Sequence, residues 1–233
     1  MGKLILAGGG DAEQTLSIDK EFANLINKEK PFLYIPIAMD INAIPYDSCF
    51  NWINSVFNPH GIEEIKMWTE SELNNKSVED LKQFSAVYIG GGNTFSLLKD
   101  FKETFFTNVL KDYLAKGGII YGGSAGAIIF GEDIRTCSHM DSNNVGLKEF
   151  NGLGIVGNYS IWCHYNVAND DLISNYIFQY KNSVISLPEE SALFIDDEVI
   201  KVIGTKPAIL FGEENKKIIQ PGTLLSYRGS DIV

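Results

Sequence analysis

Short apolar bursts recur through the first half of the chain, at KLILAGGG (residues 3–10), PFLYIPIA (31–38), SAVYIGGGN (85–93) and GGIIYGGS (117–124). Bursts of this length, three of them closed by glycine, read as parallel strands buried on both faces. Between them the apolar positions take helical spacing. IDKEFANLINKEK (18–30) is one such stretch, and YDSCFNWINSVFNPHG (46–61) is a second, with Phe50, Ile53 and Phe57 on one face. A third, FFTNVLKDYLAKGG (105–118), stops at a glycine suited to a helix C-terminus. GIEEIKMW (61–68) adds a weaker strand whose apolar positions are interrupted by charge. Alternating strand and helix predicts an α/β fold with a doubly wound, mostly parallel sheet. After residue 183 the texture changes to short β-rich runs, NSVISL, SALFID, EVIKVIG, KPAILFG and KKIIQPGTLLSY, broken by Asp-Asp, Gly-Thr and Pro-Gly turns. These predict an antiparallel C-terminal extension of the same domain. No linker, repeat or low-complexity tract divides the sequence, so residues 1–233 are expected to form a single domain.

Composition narrows the function. With 233 residues, 45% of them hydrophobic, the chain has enough apolar surface for one sizeable core. The net charge is −11, and Arg135 and Arg228 are the only arginines. That leaves no basic surface for a phosphate backbone and argues against a nucleic-acid partner. Cys49, Cys137 and Cys163 are odd in number, widely spaced and without a CxxC pair, which suits reduced thiols in a cytoplasmic protein. The apolar run at the amino terminus is too short for a secretory signal, and no run of eighteen apolar residues predicts a membrane partner. Nothing in the sequence chooses between monomer and homodimer.

In an open sheet of this kind ligands sit beyond the carboxyl ends of the strands, and the glycine clusters 8–10, 90–92 and 122–123 all fall at such ends. GGSAG (122–126) fits GxSxG, a strand-to-helix turn that exposes a serine hydroxyl at the end of the sheet. Its glycines are needed because larger side chains two residues either side of Ser124 would collide in so sharp a turn. The helix opening at Ala125 aims free amides at the position of a developing oxyanion. The competing reading is a glycine-rich turn whose serine only caps a helix. In YIGGGNTFSLLK (88–99) the amide of Gly92 or Asn93 could complete an oxyanion hole, or Asn93 or Thr94 could simply cap a helix.

A serine nucleophile requires a base, and the chain offers His60, His139 and His164. His60 reads as a surface turn residue and His139 as part of a polar loop. His164 closes the apolar run YSIWCH, where a further strand should end. A buried structural histidine is the alternative. For the acid that orients the base, Asp141, Glu189 and Glu190 are all available, and spacing does not choose among them. GGGDAE lacks the third glycine of a dinucleotide fingerprint, and no Walker lysine follows any glycine cluster. Cys137, His139 and Asp141 alternate as metal ligands can, yet without a second cluster they read better as a polar loop. Cys163 adjoins His164, but neighbours on a strand point to opposite faces and would not form a dyad.

Together, YIGGGNTFSLL, IIYGGSAGA, IRT at 134–136 and the run ending at His164 resemble the peptidase E and cyanophycinase family of serine peptidases, from LAGGG to PEESAL. The resemblance implies a fold related to the class I glutamine amidotransferase α/β domain, flavodoxin-like in plan, with serine in place of cysteine. It implies hydrolysis of short peptides through an acyl-enzyme, with a small peptide as substrate and neither metal nor cofactor. By position it makes Ser124 the nucleophile, His164 the general base and Glu189 the orienting acid, with the amides of Gly92 and Ala125 as oxyanion donors. The family's acid has also been placed after IRT, where this chain has His139 and, two residues on, Asp141. Relatives carry arginines shortly after the catalytic histidine that grip an acidic substrate. Here YNVANDDLISNYIFQY has none and carries Asp170 and Asp171. Facing the pocket, these would repel acidic and attract cationic groups, with Arg135 as the remaining cation able to reach a carboxylate. The function expected is therefore a serine peptidase for short or unusual peptides. A catalytically silent ligand-binding relative and an esterase with the same turn are the alternatives.

Overall fold

The computed structural model describes residues 2–197, 199–213, 215–228 and 231–232. Five strands, β1 (Lys3–Ala7), β2 (Phe32–Ile35), β3 (Ile65–Met67), β4 (Val87–Ile89) and β5 (Ile119–Gly123), form a parallel block. The helices between them are α1 (Leu16–Leu25), α2 (Tyr46–Phe57), α3 (Glu70–Leu73), α4 (Val78–Leu81), α5 (Thr94–Glu103) and α6 (Phe106–Ala115). After β5 come α7 (Ala125–Ile128), β6 (Tyr159–Trp162), α8 (Asp170–Tyr180), β7 (Ser183–Ser186), β8 (Ser191–Asp196) and β9 (Val199–Gly204). The chain continues through β10 (Ala208–Phe211), β11 (Lys216–Ile219), β12 (Leu224–Arg228) and β13 (Asp231–Ile232).

The large sheet runs β13-β12-β9-β8-β1-β5-β4-β2-β3, and its half beyond β1 is antiparallel. The strand and helix positions expected for the first half are all present. The extension differs from expectation, because the late strands divide between two sheets. While β8, β9, β12 and β13 lengthen the large sheet, β7, β10 and β11 join β6 in a second sheet ordered β11-β10-β7-β6. Its β6–β7 pair is parallel, because α8 supplies the crossover that parallel neighbours require.

Strand alternation gives the large sheet two apolar faces. Ile5, Phe32, Tyr34, Tyr88 and Tyr121 face α1 and α2, whereas Leu4, Leu6, Leu33, Val87 and Ile120 face α5, α6 and α7. Phe22 of α1 and Phe57 of α2 are fully buried against the first face, and Phe50 is only partly covered. The second sheet packs Ile161 and Ile185 into the core of the opposite face and turns Trp162 and Val184 toward Ile173 and Tyr176 of α8. Among the described residues no helix is long and apolar enough to cross a membrane. All three cysteines are free and buried.

One charged group interrupts the α1 face. Asp19 is 2% exposed; its carboxylate accepts from the Thr15 hydroxyl at 2.7 Å and the Tyr121 hydroxyl at 3.0 Å. Burial pushes its pKa up to about 6 against the pull of both hydrogen bonds. The folded state therefore holds this proton more tightly than the unfolded chain, so stability is lost as pH rises from about 4 through 6. A shift of roughly 2 units corresponds to about 3 kcal/mol, to order of magnitude. The stability of Asp19→Asn relative to wild type should accordingly rise between about pH 4 and 7. Urea unfolding of both proteins across that range reads the difference, in which any pH-independent cost of the substitution cancels; a constant offset would refute the assignment. In the same core, Phe22 packs on Phe32, Phe57 and Tyr121 with centroids 5.2–5.7 Å apart. Phe22→Ala should cost about 3–5 kcal/mol in the same assay.

Candidate active site

The turn after β5 is as tight as GGSAG demands. Ser124 is held at φ 52°, ψ −113°, a region that side chains rarely occupy. The glycines on either side are there for close approach. A Cβ on Gly122 would stand 2.3 Å from the Gly126 carbonyl oxygen, and one on Gly126 2.2 Å from that of Ile89. The Ser124 amide donates to the Ala7 carbonyl at 3.1 Å, which ties the turn to the end of β1.

His164 follows β6, and its amide donates to the Gly8 carbonyl at 2.9 Å. Its own φ is 52°, which turns the ring away from the strand and over Gly9. A side chain at Gly9 would overlap the imidazole, with a Cβ only 2.2 Å from Cε1. In this position His164 Nε2 lies 2.8 Å from Ser124 Oγ, and Nδ1 lies 3.0 Å from Glu189 Oε1. The hydrogen bond from His164, the largest influence, lowers the Glu189 pKa, and one from Gln14 Nε2 adds to it. An ionised Glu189 only accepts, so Nδ1 carries the ring proton and Nε2 is left to accept from the serine hydroxyl. The arrangement is that of an alcohol, a base and a base-orienting carboxylate in series.

The Asp141 carboxylate takes another partner, one oxygen accepting from the Thr94 amide at 2.8 Å at the start of α5. Among the described residues no hydrogen bond joins the Glu190 carboxylate to His164, whose Nδ1 is taken by Glu189. The ring of His139 stacks on Trp162 at 4.2 Å, with Nδ1 2.9 Å from the Thr136 carbonyl. His60 lies in a surface turn, its carbonyl accepting from Lys28. Cys163 is buried against the carbonyls of Ala7 and Ser124, and burial raises its thiol pKa. No three His, Cys, Asp or Glu side chains converge as metal ligands among the described residues.

The GGGN loop lies against the serine, since a Cβ on Gly91 would approach Ser124 Cβ to 3.1 Å. The amides of Gly92 and Ala125 have no protein acceptor among the described residues, so both are free to bind an oxyanion. Asn93 has no such freedom, and its expected part in an oxyanion hole is corrected. Its amide is bound to the Ala38 carbonyl at 2.7 Å, and its side chain caps α5 by accepting from the Ser96 amide.

Two further expectations about specificity are corrected. Arg135 is paired with Asp133 and lies 3.7 Å from the Tyr180 ring centroid, outside the cavity at Ser124. Asp170 and Asp171 open α8 on the protein surface; Asp170 is engaged by Tyr165 and Lys216, and neither aspartate lines the cavity. The sequence pattern fixed their spacing but not the direction of α8, whose apolar side is committed to the second sheet.

Ser124, His164 and Glu189 line the wall of a cavity of about 590 Å3 between the large sheet and α1 and α2. Among the described residues its charged lining residues, apart from the histidine, are Asp11, Asp19 and Glu189, and no lysine or arginine faces it. Gln14, Asp19 and the tyrosines of this cavity went unread in the sequence. The available signal is a tyrosine just before the break in each of three strands, at LYIP, VYIG and IYGG.

The chain is similar to known proteins in both sequence and fold. A peptidase E of Nostoc sp. is 29% identical over 217 residues, 85% of this chain and 84% of its own. A peptidase E of Shewanella putrefaciens is 30% identical over 158 residues; that match covers 63% of this chain and just under two thirds, 66%, of the relative. Among solved structures, a peptidase from an acI-B1 actinobacterium superposes with a TM-score of 0.73 at 20% identity, covering 97% of each chain. A Listeria monocytogenes protein superposes at 0.68 with 22% identity, over 88% of this chain and 98% of that one. These superpositions establish the shared α/β fold. The family model for peptidase family S51 matches residues 4–203, which include every residue of the Ser124–His164–Glu189 series, and the chain belongs to that family.

Proposed function

We propose that the protein is a cytoplasmic serine peptidase that cleaves short peptides through an acyl-enzyme. The observation that carries this reading is the hydrogen-bonded series Ser124–His164–Glu189 at a cavity large enough for a dipeptide. Ser124 Oγ attacks the scissile carbonyl as His164 Nε2 takes its proton. The amides of Gly92 and Ala125 receive the developing oxyanion, and His164 then returns the proton to the leaving amine. Water, deprotonated by the same nitrogen, attacks the ester carbonyl, and as the Ser124 Oγ–carbon bond breaks His164 returns the proton to Oγ, releasing the acid. Glu189 holds the imidazole tautomer and stabilises its charged form, and Gln14 holds Glu189. The same reading takes the fold as that of the glutamine amidotransferase α/β domain, with serine replacing the thiol nucleophile.

A fluorophosphonate probe should label the wild type and Ser96→Ala but not Ser124→Ala; labelling that survives Ser124→Ala would refute the nucleophile. Steady-state kinetics on a dipeptide panel tests the acid. Glu189→Gln should lower kcat by roughly 1,000- to 10,000-fold, as expected when the base loses its orienting carboxylate. Asp141→Ala should cost about 1 kcal/mol in stability, the scale of a lost helix cap, and leave kcat within about tenfold of wild type. The reverse order would transfer the role to Asp141.

A further inference from the structure

Ser124 and His164 also border a second cavity, of about 30 Å3, whose other walls include Thr94, Ile128, Cys137 and His139. These belong to the α5 and α7 side of the large sheet, whereas the large cavity lies on the α1 and α2 side. The nucleophile therefore stands between two spaces of very different size. Only the large one has room for the acyl portion of a peptide. The small one exceeds the roughly 10–15 Å3 that a single water needs, which gives room for about one or two. Gly92 borders both cavities, so a carbonyl held by its amide is within reach from either side. The small cavity opens to solvent past His139 and Met140, which are both exposed.

His139 has no part in the series Ser124–His164–Glu189, yet it is held as firmly as a working group. Its ring stacks on Trp162 with 14° between the planes, and Nδ1 faces the Thr136 carbonyl at 2.9 Å. A carbonyl only accepts, so Nδ1 carries the ring proton and Nε2 keeps its lone pair. Coverage of the ring is the largest influence on its pKa and lowers it, against the pull of the Thr136 carbonyl and of Asp141. The imidazole is thus a neutral acceptor at neutral pH. Among the described residues no hydrogen bond engages its Nε2. On the same cavity the Thr94 hydroxyl is 0% exposed and has no hydrogen-bond partner beyond the Cys137 thiol, a weak donor.

Deacylation needs a water with a lone pair aimed at the ester carbon. His164 Nε2 takes one of its hydrogens, but a water held by one hydrogen still rotates. From the placement of these groups we infer that the second cavity seats the deacylating water, with His139 Nε2 accepting its other O–H and the Thr94 hydroxyl donating to its spare lone pair. The inference rests on the peptidase reading. In this step the water oxygen bonds to the ester carbon as one proton passes to His164, and the Ser124 Oγ–carbon bond breaks as that proton returns to Oγ. The other water proton leaves on the product acid, so His139 positions the water and gains no proton. A carboxylate in its place would add negative charge beside the developing oxyanion, which a neutral imidazole avoids. Since the water acts only after the amine has left, His139 affects deacylation and not acylation.

Stopped-flow mixing of the full chain with p-nitrophenyl acetate separates the two steps. Nitrophenolate release reports acetylation, and intact mass follows the loss of the acetyl-enzyme. His139→Phe keeps a ring against Trp162 and removes Nε2. It should slow deacetylation about tenfold or more, the scale of one hydrogen bond lost from a transition state, and leave acetylation within about twofold of wild type. Thr94→Val, which preserves the packed shape, provides a second variant should His139→Phe not fold; deacetylation should slow about threefold or more without loss of Tm. The inference is overturned by deacetylation at the wild-type rate in folded His139→Phe, or in Thr94→Val where the first variant does not fold. Acetylation and deacetylation that fall together, or a fluorophosphonate-labelled Ser124 that takes no acetyl group, would also overturn it. If wild-type Ser124 takes neither reagent, the peptidase reading has failed and this inference falls with it, so the two failures are distinguishable.

Discussion

The site depends on the last two carbonyls around the end of β1. Ala7 accepts from the Ser124 amide and Gly8 from the His164 amide, at 3.1 and 2.9 Å. The serine and the histidine belong to different sheets, forty residues apart, and neither strand would bring its side chain to the other unaided. The end of β1 is the shared support that sets their separation. It is itself fixed by parallel pairing to β5 on one side and antiparallel pairing to β8 on the other, with the Gly8 amide donating to Ser191 at 2.9 Å. Glu189 lies just before β8, so the same strand that braces β1 also delivers the carboxylate. A central strand paired on both edges is among the least mobile elements available to a fold of this size, which suits groups that must keep hydrogen-bond distance.

Much of this was legible in the sequence because it is local. Apolar bursts of strand length and helices of 3.6-residue period locate β1 to β5 and their connecting helices, and GGSAG locates the turn, because each feature is written within a dozen residues. His164 was legible as the end of a strand. The choice among three acids was not, since it depends on where β8 pairs, and pairing is a long-range property. The late strands show the same limit. Their alternation is plain, but only the interposition of α8 between β6 and β7 separates the second sheet from the first. Asp170, Asp171 and Arg135 were misplaced for a related reason. Charge in a sequence has no direction until the apolar face of its element is assigned, and here α8 buries Ile173, Tyr176 and Ile177 against the second sheet.

The tyrosine row illustrates the opposite case, a pattern visible in the sequence but without meaning until strands are paired. Tyr34, Tyr88 and Tyr121 each precede a strand break, and strand order β5-β4-β2 makes them neighbours. Apolar residues would pack this face as well. Phenylalanine occupies other positions on it, and the Phe22, Phe32 and Phe57 rings meet there in tilted and edge-to-face contacts. Placing hydroxyls beside a buried aspartate instead concentrates polarity on the side of the sheet where the serine opens.

The fold supports the costs this arrangement imposes at separate places. Two residues at φ 52°, Ser124 and His164, carry backbone strain of about 1–3 kcal/mol each. The buried aspartate adds a desolvation cost. Ser124 ends β5 of the large sheet, His164 follows β6 of the second sheet, and Asp19 lies on α1 against the large sheet. Strain at a strand end can persist only where the flanking elements are fixed more firmly than the strained residues can move them. Here β5 is held between β1 and β4, and α7 packs back on β5 through the contact that Gly122 and Gly126 permit. Relaxing Ser124 to an ordinary backbone would require α7 to leave its burial, with Ala125, Ala127 and Ile128 exposed in turn. The loss of apolar contact opposes that movement, so the serine stays presented to the cavity whether or not a substrate is bound.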